Sequence, residues 1–406
     1  MKKYVLVGAS GRGTYMYAKP MQERFTDVAE IVGVFDINPL RCEKLKELAN
    51  IPNVPVYTDF DKMIDETKPD FGIVTTMDAT HHEYICRLME KGVEVICEKP
   101  MTNSVERIKS ILDTSKKTGK NVTVTFNYRF APYATKAKEI VKSGVLGNIL
   151  NVDFEYILSD WHGGDYFRRW HSYKKNIGSL LVHKSTHHFD LMNWWISDTP
   201  KEITAYATRR FWGDNRYPEH GERCLTCPNP CKYKYDWDAV YWDKPLYLEC
   251  ESADGYFRDR CLYRDDIDLP DTFACSGTYE SGAMFTYSLV TYGQYEGYRC
   301  NITGDKARLE LHCGDSDKGY IETMKIYNLD GSIDIIQPPS GVGGHGGGDP
   351  KIQDNLFKGY KEDPLNHMAD LNDGIKSVMM GICGNISIEE NNRKVVLKDE
   401  LDWTKY

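Results

Sequence analysis

The sequence predicts an α/β protein with two domains: an N-terminal doubly wound parallel sheet and a C-terminal α+β domain with an antiparallel sheet. Three observations predict it. Short apolar runs alternate with amphipathic helical patterns up to about residue 126, strands in series follow later, and a glycine-rich turn comes directly after the first apolar run. At 406 residues the chain is long enough for two domains with a substantial core.

Five apolar runs in the first part of the chain predict buried parallel strands, because such strands are covered on both faces. They lie at 4–7, 31–35, 71–75, 93–97 and 122–126. Between them, apolar residues recur at helical spacing over about 12–25, 39–49, 59–67, 79–91 and 104–118. We therefore assign residues 1–126 to a first, doubly wound domain.

The remainder of the chain, 127–406, is predicted to be α+β. Helical patterns are expected at about 131–143, 179–196 and 366–383, and alternating runs at 272–279, 283–290 and 308–312. Strands in series with short turns predict antiparallel pairing. A glycine-rich loop is expected at 341–349.

Composition and charge exclude several classes of partner. A formal net charge of -9, with no run of Lys or Arg, argues against nucleic acid and membrane surfaces. The apolar run near the N-terminus is too short for a signal peptide, and none approaches the roughly 18 residues of a membrane helix. We expect a cytoplasmic protein whose scattered cysteines are buried thiols and not disulfides.

The sequence GASGRG at residues 8–13 joins the first predicted strand to the first predicted helix. In a dinucleotide-binding turn, small residues at the first two glycine positions let backbone N–H groups approach the pyrophosphate, and the third glycine allows close helix packing. An ordinary strand–helix turn has a similar pattern. We predict that the cofactor is held at Gly8, Ser10, Gly11, Arg12 and Gly13.

Asp36 ends the second predicted strand, where a carboxylate accepts hydrogen bonds from ribose hydroxyls. Its charge would repel the 2′-phosphate of NADP, so the sequence favours NAD. Arg41 follows five residues later and keeps NADP open as the alternative, because a guanidinium binds phosphate well. The turn and Asp36 together predict a Rossmann domain.

Three separated motifs support a more specific identification. Glu98-Lys99-Pro100 ends a matching segment at 74–102, NYRFAP follows at 127–132, and HKSTHHFD follows at 183–190. In sequence and order they resemble the glucose–fructose oxidoreductase / inositol dehydrogenase / MocA (Gfo/Idh/MocA) family, whose signature is E-K-P. The resemblance runs over nearly the whole chain.

The resemblance implies a Rossmann domain, a second domain with a large open antiparallel sheet that supports a homo-oligomer, and NAD(P)-linked chemistry at a sugar or cyclitol hydroxyl. It implies that Lys99 lies between nicotinamide and substrate and that His187 is the catalytic histidine. The chemistry agrees, because an alcohol that loses hydride needs a base for its proton and a cation for the developing alkoxide. An ion pair with Glu98 is the structural alternative for Lys99.

The matched segments imply further site residues. Cofactor contacts are expected at Thr76, Asp78, His81, Glu98 and Lys99. Substrate contacts are expected at Tyr128, Arg129, Trp161, His162, Lys184 and Asp190. The segment DWHGG at 160–164 places an aromatic ring beside polar groups, which suits a sugar with one apolar face but is also typical of a packed loop.

His183 departs from the family pattern, which often has aspartate at this position. On a single helix His183, His187 and Asp190 would share one face, because they are four and three residues apart. We therefore predict His183 as a catalytic residue that replaces the carboxylate, with Lys184 as the alternative. A metal site made by the three side chains and a buried structural histidine also stay open.

A cysteine cluster lies in a polar, proline-containing loop within an insertion at about 212–265. Four thiolates with close spacing among the first three suit a structural, tetrahedral zinc site that stabilises a long loop. The predicted ligands are Cys224, Cys227, Cys231 and Cys261. A comparable insertion in a subgroup of the family favours these over Cys250; iron–sulfur ligation and unligated cysteines are the alternatives.

We predict an NAD-dependent oxidoreductase that moves a hydride between nicotinamide and a ring hydroxyl or ketone of a sugar, glycoside or cyclitol, with glycoside oxidation favoured. A redox-neutral, NAD-dependent glycoside hydrolase is the first alternative, because it would share every motif. A non-catalytic sugar-sensing relative is the second. The presence of both Lys99 and His187 argues against the sensor.

Overall fold

The structure is a computed structural model that describes residues 1–214, 216–217, 219–316, 319–359 and 362–406. It contains a six-stranded sheet in the order β3-β2-β1-β4-β5-β6 and a nine-stranded sheet formed by later strands. The first sheet comprises β1 (Lys2–Val7), β2 (Ala29–Phe35), β3 (Val56–Tyr57), β4 (Phe71–Val74), β5 (Glu94–Cys97) and β6 (Val122–Val124). The predicted doubly wound parallel sheet is confirmed, and its strand order is that of a Rossmann fold.

Helices follow these strands where the helical patterns predict them. They are α1 (Lys19–Arg24), which continues a π-helical turn at Gly13–Ala18, and α2 (Pro39–Ala49), α3 (Phe60–Thr67), α4 (Asp78–Glu90) and α5 (Val105–Thr118). Capping residues explain several helix ends. The Asn38 side chain accepts a hydrogen bond from the Arg41 N–H at the start of α2, and Gly119, with φ 69°, ends α5. The strand order reverses between β1 and β4, which opens a crevice at their carboxyl ends.

The second sheet has the order β14-β13-β12-β11-β7-β10-β9-β8-β15. Its strands are β7 (Ile149–Ser159), β8 (Pro200–Thr208), β9 (Thr272–Tyr279), β10 (Met284–Gly293), β11 (Gly297–Gly304), β12 (Ala307–Ser316), β13 (Gly319–Asn328), β14 (Ile333–Ile336) and β15 (Val395–Val396). Its pairs are antiparallel except that β7 and β10 are parallel. This exception follows from the topology. Because β10 and β11 run in opposite directions, β7, which lies between them, must be parallel to one of these two strands.

The helices of the second domain cover the inner face of this sheet and meet the first domain. They are α6 (Pro132–Lys142), α7 (Asp160–Arg168), α8 (Lys174–Ile177), α9 (Leu180–His183), α10 (Thr186–Ile196), α11 (Glu251–Asp254), α12 (Gly344–Lys358), α13 (Leu371–Glu389) and α14 (Leu397–Glu400). One apolar core runs from Val5 in β1 to Trp195 in α10 and Met380 in α13. The two domains therefore pack as one body around the crevice.

Two elements differ from the sequence prediction. The helix expected over 179–196 is interrupted after His183, where the Ser185 N–H bonds to the Leu180 carbonyl five residues back. The loop expected at 341–349 becomes the start of α12, in which residues 345–347 have left-handed backbone. Both differences arise from local backbone conformations, which the periodicity of apolar residues does not indicate.

The insertion between β8 and β9 contains little regular structure beyond α11. Its small core consists of Cys224, Tyr235 and Trp237. Buried ion pairs supply much of the remaining stabilisation of the insertion. In one of them Arg258 contacts Asp165 of α7 at 2.6 Å.

No helix among the described residues is long and apolar enough to span a membrane. The outer face of the nine-stranded sheet exposes apolar side chains, among them Leu150, Tyr206 and Met284. A homo-oligomer through this sheet stays a prediction, and so does the cytoplasmic location.

Candidate active site

The glycine-rich turn has the backbone that a dinucleotide requires. Gly8 has φ +108°, and a Cβ there would lie 2.8 Å from the carbonyl carbon of Thr75. A Cβ on Gly13 would lie 2.5 Å from the Gly8 oxygen. Ser10 fits the middle position, since its hydroxyl donates to the Thr75 carbonyl and accepts the Gly13 N–H, both at 3.1 Å. The turn therefore fits a pyrophosphate, because only residues this small leave its backbone accessible.

Asp36 is held in place at the carboxyl end of β2. Its carboxylate accepts backbone N–H groups from Ala9 at 2.7 Å and Asn38 at 2.8 Å. Burial raises its pKa, although Arg41 and the two backbone donors act in the opposite direction. The oriented carboxylate keeps lone pairs for ribose hydroxyls.

A cavity of about 640 Å³ runs from Asp36 to Lys99 along the crevice. Eight of the predicted cofactor residues are on its wall: Ser10, Arg12, Asp36, Thr76, Asp78, His81, Glu98 and Lys99. Gly8, Gly11 and Gly13 contribute backbone of the adjoining turn. The Gly11 N–H donates to the Tyr247 hydroxyl of the insertion at 3.0 Å.

Glu98 pairs with Arg12 and not with Lys99. Its Oε1 lies 2.8 Å from Arg12 Nε and accepts the Tyr17 hydroxyl at 2.6 Å. Burial alone would raise the pKa of Glu98, but Arg12 and Tyr17 lower it, so it stays ionised. The interpretation of Lys99 as the ion-pair partner of Glu98 is therefore wrong.

Lys99 lies at the other end of the cavity from Asp36, just after β5 ends. Its Nζ donates to the main-chain carbonyl of His183 at 3.3 Å. Burial lowers its pKa to about 8, and the Lys184 ammonium acts in the same direction. A lysine of this kind changes charge close to neutral pH, as an acid–base group in a catalytic site must.

His183 is hydrogen-bonded to the first domain. Its Nδ1 lies 2.6 Å from Asp78 Oδ2 at the start of α4. Burial lowers the pKa of His183 well below its ordinary value and raises that of Asp78 well above. Because both shifts disfavour charge, one proton is held between the two atoms. The acidic side chain at this point of the site is thus Asp78, which bonds to His183.

His187 is the second residue of α10 and lies behind the cavity walls. Its ring is 4.7 Å from that of Tyr128 and 5.8 Å from that of His345, and these two residues do line cavities. Its Nδ1 is buried without a hydrogen-bond partner among the described residues. Burial and the Lys99 charge lower its pKa well below the ordinary value, so the imidazole is neutral.

His345 was not predicted as a site residue. It lines both the cofactor cavity and a second cavity of about 720 Å³. Its φ of 52° is rare for a residue with a side chain, and its Nδ1 bonds Asp349 at 3.0 Å. The His–Asp pair at i and i+4 in GHGGGD was the signal that could have found it.

The second cavity has an aromatic wall with a few charged groups. Its wall includes Tyr128, Tyr133, Tyr156, Tyr298, Tyr320, Glu296 and Glu322. Lys184 is buried with Nζ 4.9 Å from the Tyr156 ring centre. His162 Nδ1 lies 2.8 Å from Glu296. The predicted substrate residues Tyr128, His162 and Lys184 are thus brought together at or beside this cavity.

Of the six predicted substrate residues only Tyr128 lines either cavity, and Arg129, Asp190 and Trp161 are engaged elsewhere. Arg129 and Asp190 form a buried, bidentate ion pair at 2.8 and 2.6 Å. Trp161 is 47% exposed, with the Arg168 guanidinium 5.8 Å from its ring centre. The proposed metal site at His183, His187 and Asp190 is not formed either, because His183 is bonded to Asp78, Asp190 is bonded to Arg129, and the helix is broken between the two histidines.

The predicted zinc ligands meet in one place. Cys224, Cys227, Cys231 and Cys261 line one cavity of about 30 Å³. Backbone N–H groups donate to three of the sulfurs, at 3.3 Å for Cys227 and 3.4 Å for Cys231 and Cys261. Over the described part of the chain, however, no group of three or more His, Cys, Asp or Glu residues has the geometry that a metal ion needs.

Comparison with known proteins decides the family. A model of the oxidoreductase family with an NAD-binding Rossmann fold (Gfo/Idh/MocA) matches residues 2–126, and the model of its C-terminal alpha/beta domain matches residues 138–397. The chain belongs to the Gfo/Idh/MocA family. It is therefore an NAD-binding oxidoreductase, as the turn at 8–13 and the E-K-P motif predict.

Individual relatives of this Gfo/Idh/MocA protein agree. YteT of Bacillus subtilis (strain 168), which is named as an oxidoreductase, is 36% identical over 407 residues, 94% of each chain. D-glucoside 3-dehydrogenase of Escherichia coli (strain K12) is 33% identical over 120 residues, 30% of this chain and 34% of that protein. A solved levoglucosan dehydrogenase with NADH and levoglucosan has a TM-score of 0.68 at 16% identity, over 98% of this chain and 99% of that one, and so shows the shared fold.

Proposed function

We propose that this protein is an NAD-dependent dehydrogenase that oxidises a ring hydroxyl of a sugar, glycoside or cyclitol, and that a glycoside is its preferred substrate. One observation supports this most strongly. The cofactor cavity and the aromatic cavity both reach His345, close to Lys99 and His187. A hydroxyl-bearing ring in the second cavity would therefore face the nicotinamide end of the first.

The aromatic cavity suits a carbohydrate. A sugar ring has an apolar face that packs on tyrosine rings, and hydroxyls that pair with charged groups. Glu296, whose pKa is lowered by His162 against the opposing effect of burial, is an ionised acceptor for such hydroxyls. The volume of about 720 Å³ leaves room for a ring with an attached aglycone or second sugar.

We propose that side chains of the protein carry out the proton transfer. Bound NAD would supply a hydride acceptor for the carbinol carbon, so the hydroxyl proton must go to a base. We propose that neutral His187 accepts this proton through Nε2 and that the Lys99 ammonium stabilises the alkoxide before the carbonyl forms. The His183–Asp78 pair positions Lys99, because the His183 carbonyl accepts from Lys99 Nζ.

The proposal also includes a preference for NAD over NADP. The Asp36 carboxylate faces the ribose end of the cavity, and its charge opposes a 2′-phosphate.

The test is a screen of glycosides, free sugars and cyclitols with NAD and with NADP, following both NADH absorbance and product mass. We expect stoichiometric NADH and a product two mass units lighter, with a glycoside as the best substrate. Cleavage of the aglycone without net NADH would contradict the proposal and support the redox-neutral hydrolase. Binding without any turnover would support the sugar sensor.

We further propose that the four clustered cysteines hold a structural zinc ion. The proposal is supported by the four cysteines that line one cavity and by the backbone N–H donors, which stabilise thiolates. The bound ion would tie Cys261 to the loop at 224–231 and so hold an insertion that has only a small core.

A further inference from the structure

The cysteine-containing insertion forms part of the wall of the cofactor cavity. Its residues 242–256, called here the docking segment, contact the Rossmann domain at several points. The Tyr15 hydroxyl donates to the Trp242 carbonyl at 2.9 Å, and Asn38 Nδ2 donates to the Cys250 carbonyl at 2.9 Å. Tyr247, Asp254 and Tyr256 line the cavity together with Asp36 and Arg41. The ribose end of the site is thus built by two separate parts of the chain.

Arg41 is the one feature of the Rossmann domain that suggests a phosphate at this end. In the structure all of its guanidinium nitrogens are engaged. Nε donates to the Leu246 carbonyl at 3.1 Å, one terminal nitrogen lies 3.4 Å from Asp36 Oδ1, and the other lies 2.7 Å from Asp254 Oδ2. Two of these three partners belong to the docking segment, and the shortest contact is with Asp254.

The charge balance of the cluster opposes a second phosphate. Asp36, Arg41 and Asp254 are all partly or fully buried and sum to one negative charge. Burial alone would raise the pKa of Asp254, but hydrogen bonding from Asn38 and the Arg41 charge lower it, so this carboxyl is ionised. A 2′-phosphate, with a charge of about -2, would meet an Arg41 that is already engaged and, among the described residues of the cluster, no other cation.

We propose that Asp254 is a specificity-determining residue, which together with Asp36 makes the protein select NAD over NADP by engaging Arg41. Asp36 binds the ribose hydroxyls, while Asp254 engages the guanidinium that would otherwise bind the 2′-phosphate. The selection therefore depends on the insertion and not only on the Rossmann domain. This inference rests on the NAD preference proposed above.

The test measures dissociation constants of NAD and NADP by calorimetry, without substrate. In Asp254→Asn we expect NADP to bind about tenfold more tightly, the gain of one charge-assisted contact to phosphate, and NAD to change by less than about threefold. Adding Arg41→Met to this variant should remove the gain, because Arg41 provides the contact. Adding Asp36→Ala should reverse the preference.

A matched control is Glu249→Gln, which removes a carboxylate of the same segment that pairs with Lys44 at 2.9 Å and does not contact Arg41. Its NAD and NADP affinities should stay within about twofold of wild type. Circular dichroism checks folding; if Asp254→Asn does not fold, Asp254→Ser replaces it. In the wild type, adenosine 2′,5′-bisphosphate should bind no more tightly than AMP.

The outcomes separate the two proposals. NADP binding more tightly than NAD in the wild type would overturn the proposed NAD preference. Wild-type preference for NAD with no gain of NADP affinity in folded Asp254→Asn or Asp254→Ser would overturn only the role of Asp254. A gain that persists after Arg41→Met would also overturn it, because the contact would then come from elsewhere.

Discussion

His183 Nδ1 lies 2.6 Å from Asp78 Oδ2, and this bond joins the two domains across the crevice. The two residues are 105 positions apart. Burial disfavours charge on both, so they hold one proton between them. The pair is also connected to Lys99, whose ammonium donates to the His183 carbonyl.

The first prediction concerns this pair. Asp78→Asn should lower kcat by roughly tenfold or more, because His183 would be fixed in another tautomer and Lys99 would lose its position. The dissociation constant of NAD should change little. Steady-state kinetics and calorimetry measure both, with Asp65→Asn, an exposed carboxylate of the same domain, as the control. A lower melting temperature with unchanged kcat would show that the pair is only structural.

The second prediction concerns Lys99 and His187. Lys99→Met and His187→Ala should each reduce kcat by about 10² or more, since one removes the cation and the other the base. The double variant should lose less than the product of the single losses, because both groups act on one transition state. NAD affinity should survive in His187→Ala.

Turnover on an authentic substrate gives these values, and His82→Ala on the first domain is the control. Near-wild-type turnover in His187→Ala would mean that the proton goes elsewhere, with Lys99 and His345 as the remaining candidates.

The third prediction is a pH dependence. Lys99, whose pKa burial lowers to about 8, is charged below that pH and neutral above it. If the ammonium stabilises the alkoxide, kcat/KM falls as pH rises through about 8. In Lys99→Arg the residual activity should lack this decline, because guanidinium stays protonated. A wild-type kcat/KM that rises through pH 8 would instead identify Lys99 as the base.

The fourth prediction concerns the cysteine cluster. Protein purified without chelator should contain about one zinc per chain, measured by elemental analysis. Cys227→Ser should reduce the zinc content and the melting temperature more than it changes kcat. Cys250→Ala, a buried cysteine of the same insertion that does not line the cluster, is the control and should keep the zinc. Wild-type protein without zinc would refute the site.

The fifth prediction separates structure from substrate binding at Arg129 and Asp190. Asp190→Asn leaves a buried guanidinium without its main partner, so the free energy of unfolding should fall by about 3 kcal/mol or more. The KM of the remaining folded protein should change little, because the charged groups of the two side chains bond to each other. Denaturant unfolding measures the loss; Glu310→Gln in the half-exposed Arg308 pair should cost less than about 1 kcal/mol. A large rise in KM at unchanged stability would restore the substrate role.

The sequence by itself determined the Rossmann domain, the order of its elements and the cofactor turn. These are local features: apolar periodicity reports which segments are strands or helices, and the turn at 8–13 requires residues without bulky side chains. The E-K-P motif predicted that Lys99 follows the end of β5, beside the crevice in which ligands of such a sheet bind. The cysteine spacing likewise predicted that the four cysteines lie together, and they line one cavity.

Only the tertiary structure decided how the side chains are paired. His183 and His187 have helical spacing in the sequence, yet the break after His183 sends one to Asp78 and the other towards Tyr128. Arg129 was predicted to bind substrate but pairs with Asp190, and Arg41 contacts Asp254 of the insertion. The physical reason is the same in each case: the energy of a buried charge or hydrogen bond depends on a partner far away in the chain, and local sequence does not identify that partner.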